Sequence, residues 1–287
     1  MRRAPTGLPI VVLAALALGL PAAAAAAPSL SVKVKILPVL KDQSNPKAGF
    51  WPHTGDFLGA PASLETRLTA TGTEYGGFPA PIRRVVVYLP KGTGIHTAGF
   101  PTCAISVLDS HQPEKCPKGS LASPAGRAPQ SAPESCPPPK PLAGGASEAC
   151  GVVSLGGQRV HEAVKIQAYV APGNGLNFYV EGVTPTVIEE PFSGKFLGAS
   201  GAFSRKFVAE VPLINTLPGA PAAVAESTSV TIGAAVKKGK KLISLGTIPK
   251  KCPKGGFPGK AEVWFGAGEE STWEEVTVTA KIPCPKR

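Results

Sequence analysis

The chain alternates apolar and polar residues in many short segments. Near the start of the chain, Val32, Val34 and Ile36 alternate with Lys33 and Lys35. A side-chain period of two is typical of a β-strand with one buried face. No segment keeps a 3.6-residue apolar period over three turns, so the pattern predicts an all-β chain with little helix.

Similar patterns predict a series of further short strands. The predicted strands are residues 64–70, 82–89, 104–108, 160–170, 176–180, 192–197, 203–211, 229–236, 242–245, 261–265 and 273–282. Residues 82–89 are almost continuously apolar, which indicates a central strand. Roughly a dozen strands exceed the seven to nine of one immunoglobulin-like sandwich. We therefore predict two antiparallel β-sandwich modules, residues 28–155 and residues 156–287.

Residues 113–148 differ from the rest of the chain in composition. They are dense in Pro, Ser, Ala and Gly and contain almost no large apolar side chains. A segment of this kind cannot bury much surface. We interpret it as a long insertion in the first module, held in place at Cys136 and Cys150.

Residues 1–27 have the features of a secretory signal peptide. Arg2 and Arg3 precede an apolar stretch over residues 8–20, and an alanine run follows at residues 22–27. This order predicts cleavage after Ala26 and a secreted, extracellular product. The apolar stretch is shorter than the roughly 20 residues of a spanning helix, so no transmembrane segment is expected after cleavage.

The composition is basic and rich in residues that break helices. The chain has 30 basic and 19 acidic residues, a formal net charge of +11, which becomes +9 once the two signal arginines are removed. Such an excess favours attraction to anionic surfaces but does not select a fold. The 33 Gly and 32 Pro residues disfavour long helices.

Six cysteines in a secreted chain indicate a disulfide framework. Sequence alone allows 15 pairings. Spacing favours three of them: Cys103–Cys116, Cys136–Cys150 and Cys252–Cys284. Zinc sites usually contain two cysteines separated by two to four residues, a spacing that this chain lacks, so no metal site is predicted.

Four lysines crowd the tip of a predicted hairpin over residues 229–245. They are Lys237, Lys238, Lys240 and Lys241. Such a cluster can bind an anionic cell-wall polymer or an acidic glycan with salt-sensitive affinity. Alternatively, the lysines only protect strand edges from aggregation. Aromatic residues do not interleave with the lysines, which weighs against nucleic acid as the partner.

The sequence contains no complete catalytic motif. His161 and Glu162 begin like a metalloprotease helix, but the second histidine is missing and the segment is predicted as a strand. Ser200 lacks the spacing of a nucleophile elbow. We therefore predict no catalytic residue and no cofactor. The alternative is an extracellular hydrolase with a site assembled across loops near His96 or His161. The hydrolase alternative would be favoured if two histidines lay in one cleft with an acidic residue. The candidate histidines are His53, His96, His111 and His161.

Several distinctive motifs follow one another along the chain. They include Gly-Thr-Glu-Tyr-Gly-Gly-Phe-Pro at residues 72–79, Lys-Cys-Pro-Lys-Gly around Cys116 and Cys252, and a final Pro-Cys-Pro at residues 283–285. Together these motifs resemble a group of uncharacterised secreted proteins of actinobacteria. The resemblance covers most of the mature chain and implies secretion and a disulfide-bonded β fold. It implies no site residue.

These observations predict a secreted, non-enzymatic β protein with a binding or structural role at the cell envelope. An anionic cell-surface polymer is the expected partner. The sequence does not indicate an oligomeric state.

Overall fold

The computed structural model describes residues 28–51, 58–140 and 146–285. The predicted signal peptide and His53 lie outside the described residues. The strands are β1 (Ser29–Pro38), β2 (Ala62–Thr71), β3 (Ile82–Pro90), β4 (Gly94–Ile95), β5 (Ser147–Leu155), β6 (Gln158–Ala171), β7 (Gly175–Gly182), β8 (Ile188–Gly198), β9 (Phe203–Glu210), β10 (Val224–Ile232), β11 (Ala235–Lys238), β12 (Lys241–Ser244), β13 (Gly246–Thr247), β14 (Phe257–Phe265) and β15 (Glu274–Ile282). The helical elements are the helix α1 (Ile105–Asp109) and the 3₁₀ turns Pro46–Ala48, Pro113–Lys115 and Glu270–Thr272.

Eleven strands form one antiparallel sheet that is nearly closed into a barrel. Their order is β1-β2-β10-β5-β6-β7-β8-β9-β3-β14-β15. The edge strands β1 and β15 approach within 8 Å at Cα without pairing. The remaining strands form two small sheets, β11 with β12 and β4 with β13. The all-β prediction with little helix is confirmed.

One face of the curved sheet is apolar and faces the interior. On β6, Val164 and Ile166 belong to the main hydrophobic cluster, and the cluster continues on β7 through Leu176 and Phe178. On β1 the intervening lysines are exposed to solvent. The period of two therefore separates an enclosed apolar face from a polar outer face.

Antiparallel pairing places the connections at two opposite ends of the barrel. The first end carries the loops 72–81, 183–187, 211–223 and 266–273, and the second end carries the segments 91–104 and 233–256. At the first end, the Ala80 amide donates a 2.6 Å hydrogen bond to Glu74 Oε1, and the Ala222 amide donates a 2.9 Å bond to the Tyr75 hydroxyl. The motif at residues 72–79 thus joins two loops of this end.

The three predicted disulfides are confirmed. The bonded pairs and their Cα–Cα distances are Cys103–Cys116 at 5.1 Å, Cys136–Cys150 at 5.4 Å and Cys252–Cys284 at 6.1 Å. Cys136–Cys150 attaches the predicted insertion to β5, and Cys252–Cys284 attaches the loop before β14 to the segment that follows β15. Each bridge therefore fixes a connection that the sheet alone leaves free.

The strand predicted at residues 104–108 is wrong, because residues 105–109 form α1. Ile105 and Leu108 pack against Tyr169 and Tyr179 on the outer face of the sheet. An apolar pair three positions apart suits one helical turn, and five residues are too few to distinguish that period from alternation.

The prediction that residues 113–148 bury little surface does not hold for residues 120–124. Ala122 and Ser123 are fully buried. The Val170 amide donates to the Ser120 carbonyl, and the Ala122 amide donates to the Ala168 carbonyl, both at 2.7 Å. Small side chains let this segment approach the backbone of β6 closely, so its burial comes from backbone contacts rather than from large apolar groups. Furthermore, β5 already begins at Ser147, inside the predicted insertion.

The division into two sandwich modules at residue 155 is not confirmed. In the sheet, β3 from the first half lies between β9 and β14 from the second half, and β10 lies between β2 and β5. Strands of both halves therefore share one sheet. The central position predicted for residues 82–89 is confirmed, since β3 pairs on both sides.

Candidate ligand-binding cavity

The interior of the barrel contains a cavity of about 400 Å³ that is partly open to solvent. Its walls are formed by inward-facing side chains of the eleven-stranded sheet, and almost all of them are apolar. Small-molecule sites typically measure roughly 300–1,000 Å³ and are predominantly apolar. The interior is therefore of the right size and character for a small hydrophobic ligand.

Aromatic side chains fill one side of the interior. The Phe178 and Phe192 rings stack with centroids 4.8 Å apart, and the Phe196 and Phe207 centroids are 4.9 Å apart. Gly194 makes this packing possible, because a Cβ at that position would overlap the Phe207 ring. These rings form a closely packed wall along β7, β8 and β9.

The opposite side of the interior is less densely packed. The inward-facing residues of the two edge strands are only half-buried; they are Val32, Val34 and Ile36 on β1 and Val278 and Ala280 on β15. Open space, rather than another layer of side chains, lies against them. The cavity therefore extends from the aromatic wall to the unpaired seam between β1 and β15.

The β11–β12 hairpin covers part of the second end of the barrel. Its residues Val236 and Ile243 pack against the main hydrophobic cluster, together with Ala234 and Leu245 at its base. The four candidate lysines, Lys237, Lys238, Lys240 and Lys241, are exposed around the turn. The structure brings these lysines together on the outside of the barrel, and none of them lines the cavity.

Glu162 is a carboxylate on the apolar wall of the cavity. It lies on β6 on the same face as Val164 and Ile166, and it is only 1 % exposed. Burial raises the pKa of Glu162 to about 7. The backbone N–H of Thr186 lies near enough to oppose this shift, but neither carboxylate oxygen has a partner within the distance and angle limits of a hydrogen bond among the described residues.

The strand pattern contains a signal for Glu162 that the motif comparison misses. Glu162 has the same parity as Val160, Val164 and Ile166, so the period of two places it on the buried face. The partial metalloprotease motif singles out His161 instead. A carboxylate at an apolar position of a strand is the observation that identifies this residue from sequence.

Two of the three described histidines lie beside different acids. His111 Nδ1 lies 3.7 Å from Glu189 Oε2, and His161 Nε2 lies 3.2 Å from Glu226 Oε2. His96 is exposed, and its amide donates to the Leu245 carbonyl at the second end of the barrel. Among the residues that the structure describes, no two histidines share an ion pair or a ring contact. The convergence expected of the hydrolase alternative is therefore not seen in this part of the chain.

One cluster has the outline of a metal site. Cys136 Sγ, a nitrogen of His161 and a carboxylate oxygen of Glu226 lie within 4.8 Å of one another. However, Cys136 is bonded to Cys150, and the thiolate is the form of cysteine that binds metals. The cluster is thus a disulfide beside a contact between a histidine and a carboxylate.

No helix within residues 28–51, 58–140 and 146–285 combines the length and the apolar character needed to cross a membrane. Comparisons with protein-family models, curated proteins and solved structures found no match for this chain. The fold and its interior therefore define the class: a disulfide-bonded, nearly closed antiparallel β-barrel with an apolar cavity.

Proposed function

We propose that this protein binds a long-chain hydrophobic molecule inside its barrel, as a secreted, non-enzymatic binding protein. The observation that carries the proposal is the cavity of about 400 Å³ with an almost wholly apolar lining. Apolar cavities take up apolar ligands, because water gains few hydrogen bonds against an apolar lining. Their occupation removes apolar surface of the ligand from water.

The shape of the interior favours a flexible chain over a flat ring system. The cavity is bounded by the aromatic wall on one side and by the aliphatic residues of β1 and β15 on the other. It touches strands along the whole sheet, so a ligand contacts many small apolar surfaces rather than one planar pocket. The predicted secretion agrees with this role, since three disulfides suit an oxidising compartment.

The proposal is tested with a series of straight-chain alcohols that displace an environment-sensitive apolar dye from the purified protein. Each additional buried methylene contributes about 0.8 kcal/mol, so affinity should rise roughly fourfold per carbon. The rise should end at the chain length that fills the cavity. Extraction with an apolar resin before the titration removes molecules that copurify, and mass spectrometry identifies them.

Affinity that is independent of chain length would contradict binding in an enclosed apolar site. The control is the urea-unfolded chain. Equal displacement of the dye from the folded and the unfolded chain would also contradict the proposal. In either case the dye would report exposed surface rather than the cavity.

A second candidate function is contact with an anionic cell-surface polymer through the lysine hairpin. The four lysines are exposed, and they project from a hairpin whose apolar side is anchored to the barrel. Like charges on a fixed turn form a local positive field, which attracts polyanions at low ionic strength. This surface is separate from the cavity, so both functions can coexist.

Changing these four lysines to glutamine should abolish the salt-sensitive part of binding to isolated bacterial envelopes. The measurement is retention across a series of salt concentrations, since the Debye length falls from about 10 Å at 0.1 M to about 3 Å at 1 M. A matched control changes four exposed lysines elsewhere to glutamine: Lys33, Lys35, Lys195 and Lys281. Equal loss in both variants would assign the effect to net charge and reject the hairpin as a site.

A further inference from the structure

Glu162 is an unpartnered polar group that is aimed into the cavity. Its side chain is 1 % exposed and belongs to the cavity lining, and neither carboxylate oxygen accepts a hydrogen bond from the described residues. Buried polar groups in folded proteins are normally hydrogen-bonded, and the exceptions need an explanation. A ligand that supplies the missing donor is one such explanation.

The neighbouring strand β7 leaves room for the carboxylate of Glu162. On β7, the carboxylate lies over Gly182, where a Cβ would overlap Oε1. The absence of a side chain at Gly182 thus lets an acid occupy a position on the apolar face of β6.

No basic group in the described lining neutralises this carboxylate. The lining contains two charged residues, Glu162 and Lys260. Lys260 Nζ is paired with Glu262 Oε1 at 2.5 Å, and its neighbours Ala261 and Gly259 provide the apolar contribution of β14 to the wall. A ligand anion would therefore meet a negative group without a compensating cation, whereas a donor or a cation would meet an unused acceptor.

We infer that the ligand is an amphiphile whose polar end donates a hydrogen bond to Glu162. A long-chain amine fits this site best and a long-chain alcohol next, whereas a long-chain carboxylate or phosphate does not fit. This inference rests on the proposed function, because it assigns the polar end of the molecule whose chain fills the cavity. Glu162 is then the residue that selects the polar group, and the apolar wall selects the chain.

The test compares four probes of equal chain length: dodecylamine, dodecanol, dodecanoate and dodecyl phosphate, each below its micelle concentration. At pH 8 the wild-type protein should bind the amine roughly tenfold or more tighter than dodecanoate, because hydrogen bonds to charged groups are the stronger ones. In Glu162→Leu the preference should disappear, and dodecanoate should bind more tightly than it does to the wild type. Glu162→Gln retains a polar side chain and should keep dodecanol binding within about threefold.

A pH series separates recognition from a structural effect. Because burial raises the pKa of Glu162 to about 7, the amine preference of the wild type should grow as pH rises from 6 to 8, whereas Glu162→Gln should show no such growth. An effect on packing alone would weaken all four probes equally at every pH.

The inference and the proposed function fail in different ways. If dodecanol binds but the four probes do not differ in the expected order, or if Glu162→Leu keeps the amine preference, the role of Glu162 is overturned while the cavity remains a binding site. If none of the probes binds to the wild type, the proposed function fails and the inference fails with it.

Discussion

The protein without ligand should lose about 3 kcal/mol of stability at most between pH 4.5 and pH 8 through Glu162 alone. Its pKa is raised from 4.5 to about 7 by burial. Between these values the folded protein holds a proton that the unfolded chain has released. Stability is therefore full below pH 4.5, falls as pH rises from 4.5 to 7, and levels off above 7. Each pKa unit corresponds to about 1.36 kcal/mol. Open space beside the carboxylate admits solvent, which reduces the effect from this upper figure.

The measurement is the free energy of unfolding in urea at pH 5 and pH 8 for the wild type and for Glu162→Gln. The variant cannot ionise at this position, so the difference between the two proteins isolates this carboxyl from all others. Glu148→Gln serves as the control, because it removes a carboxylate from an exposed position of β5. A pH dependence that is unchanged in Glu162→Gln would show that the carboxylate is solvated in the folded protein.

The addition of an amine should reduce this loss of stability at high pH. A ligand that binds only the folded protein adds stability in proportion to the logarithm of its concentration over its dissociation constant. Since the ionised carboxylate is the better acceptor, the added stability is larger at pH 8 than at pH 5. The same residue thus destabilises the empty barrel and stabilises the filled one, which ties the energetics of the fold to the proposed ligand.

Alternation along the chain was sufficient to predict most strands and the buried face of each. It placed Val32, Val34 and Ile36 on one side of β1, where they do line the interior. It could not predict which strands pair, because β3 pairs with β9 and β14, which follow it by more than a hundred residues. Strands that are far apart in the sequence pair only when the long loops between them close. The alternation of apolar and polar residues does not indicate which strands will meet.

The step from two sandwiches to one barrel also lies beyond the strand pattern. An apolar face can be buried against a second sheet or by curvature of its own sheet around an interior, and alternation is the same in both cases. The outcome depends on accumulated twist and on what the two edges meet. Here the edges β1 and β15 meet one another.

Two of the three disulfides were predictable because their loops are short. Cys103 and Cys116 are 13 positions apart, and Cys136 and Cys150 are 14 apart. The two cysteines of each pair therefore stay close to one another in the unfolded chain. By contrast, the cavity had no sequence signal of its own. Its volume follows from the sizes of side chains that meet across the barrel, and that meeting is a property of the closed sheet.

Replacing Ala280 with tryptophan should weaken binding of a long-chain alcohol roughly 50-fold or more. Ala280 faces the cavity from β15 and is only half-buried, so an indole has space to enter without overpacking the wall. A ring of that size displaces at least three methylene groups of the ligand, at about 0.8 kcal/mol each. Short alcohols should lose less affinity than long ones, because they do not reach the blocked volume.

The matched control is Thr279→Trp, which adds the same ring to the neighbouring exposed position of β15. Because side chains alternate across a strand, its indole points away from the interior, and its affinity should stay within about threefold of the wild type. Both variants should unfold within about 1.5 kcal/mol of the wild type, as measured in urea. Wild-type affinity in a folded Ala280→Trp protein would place the bound chain outside the barrel, whereas selective loss in this variant would locate it against β15, beside the unpaired seam with β1.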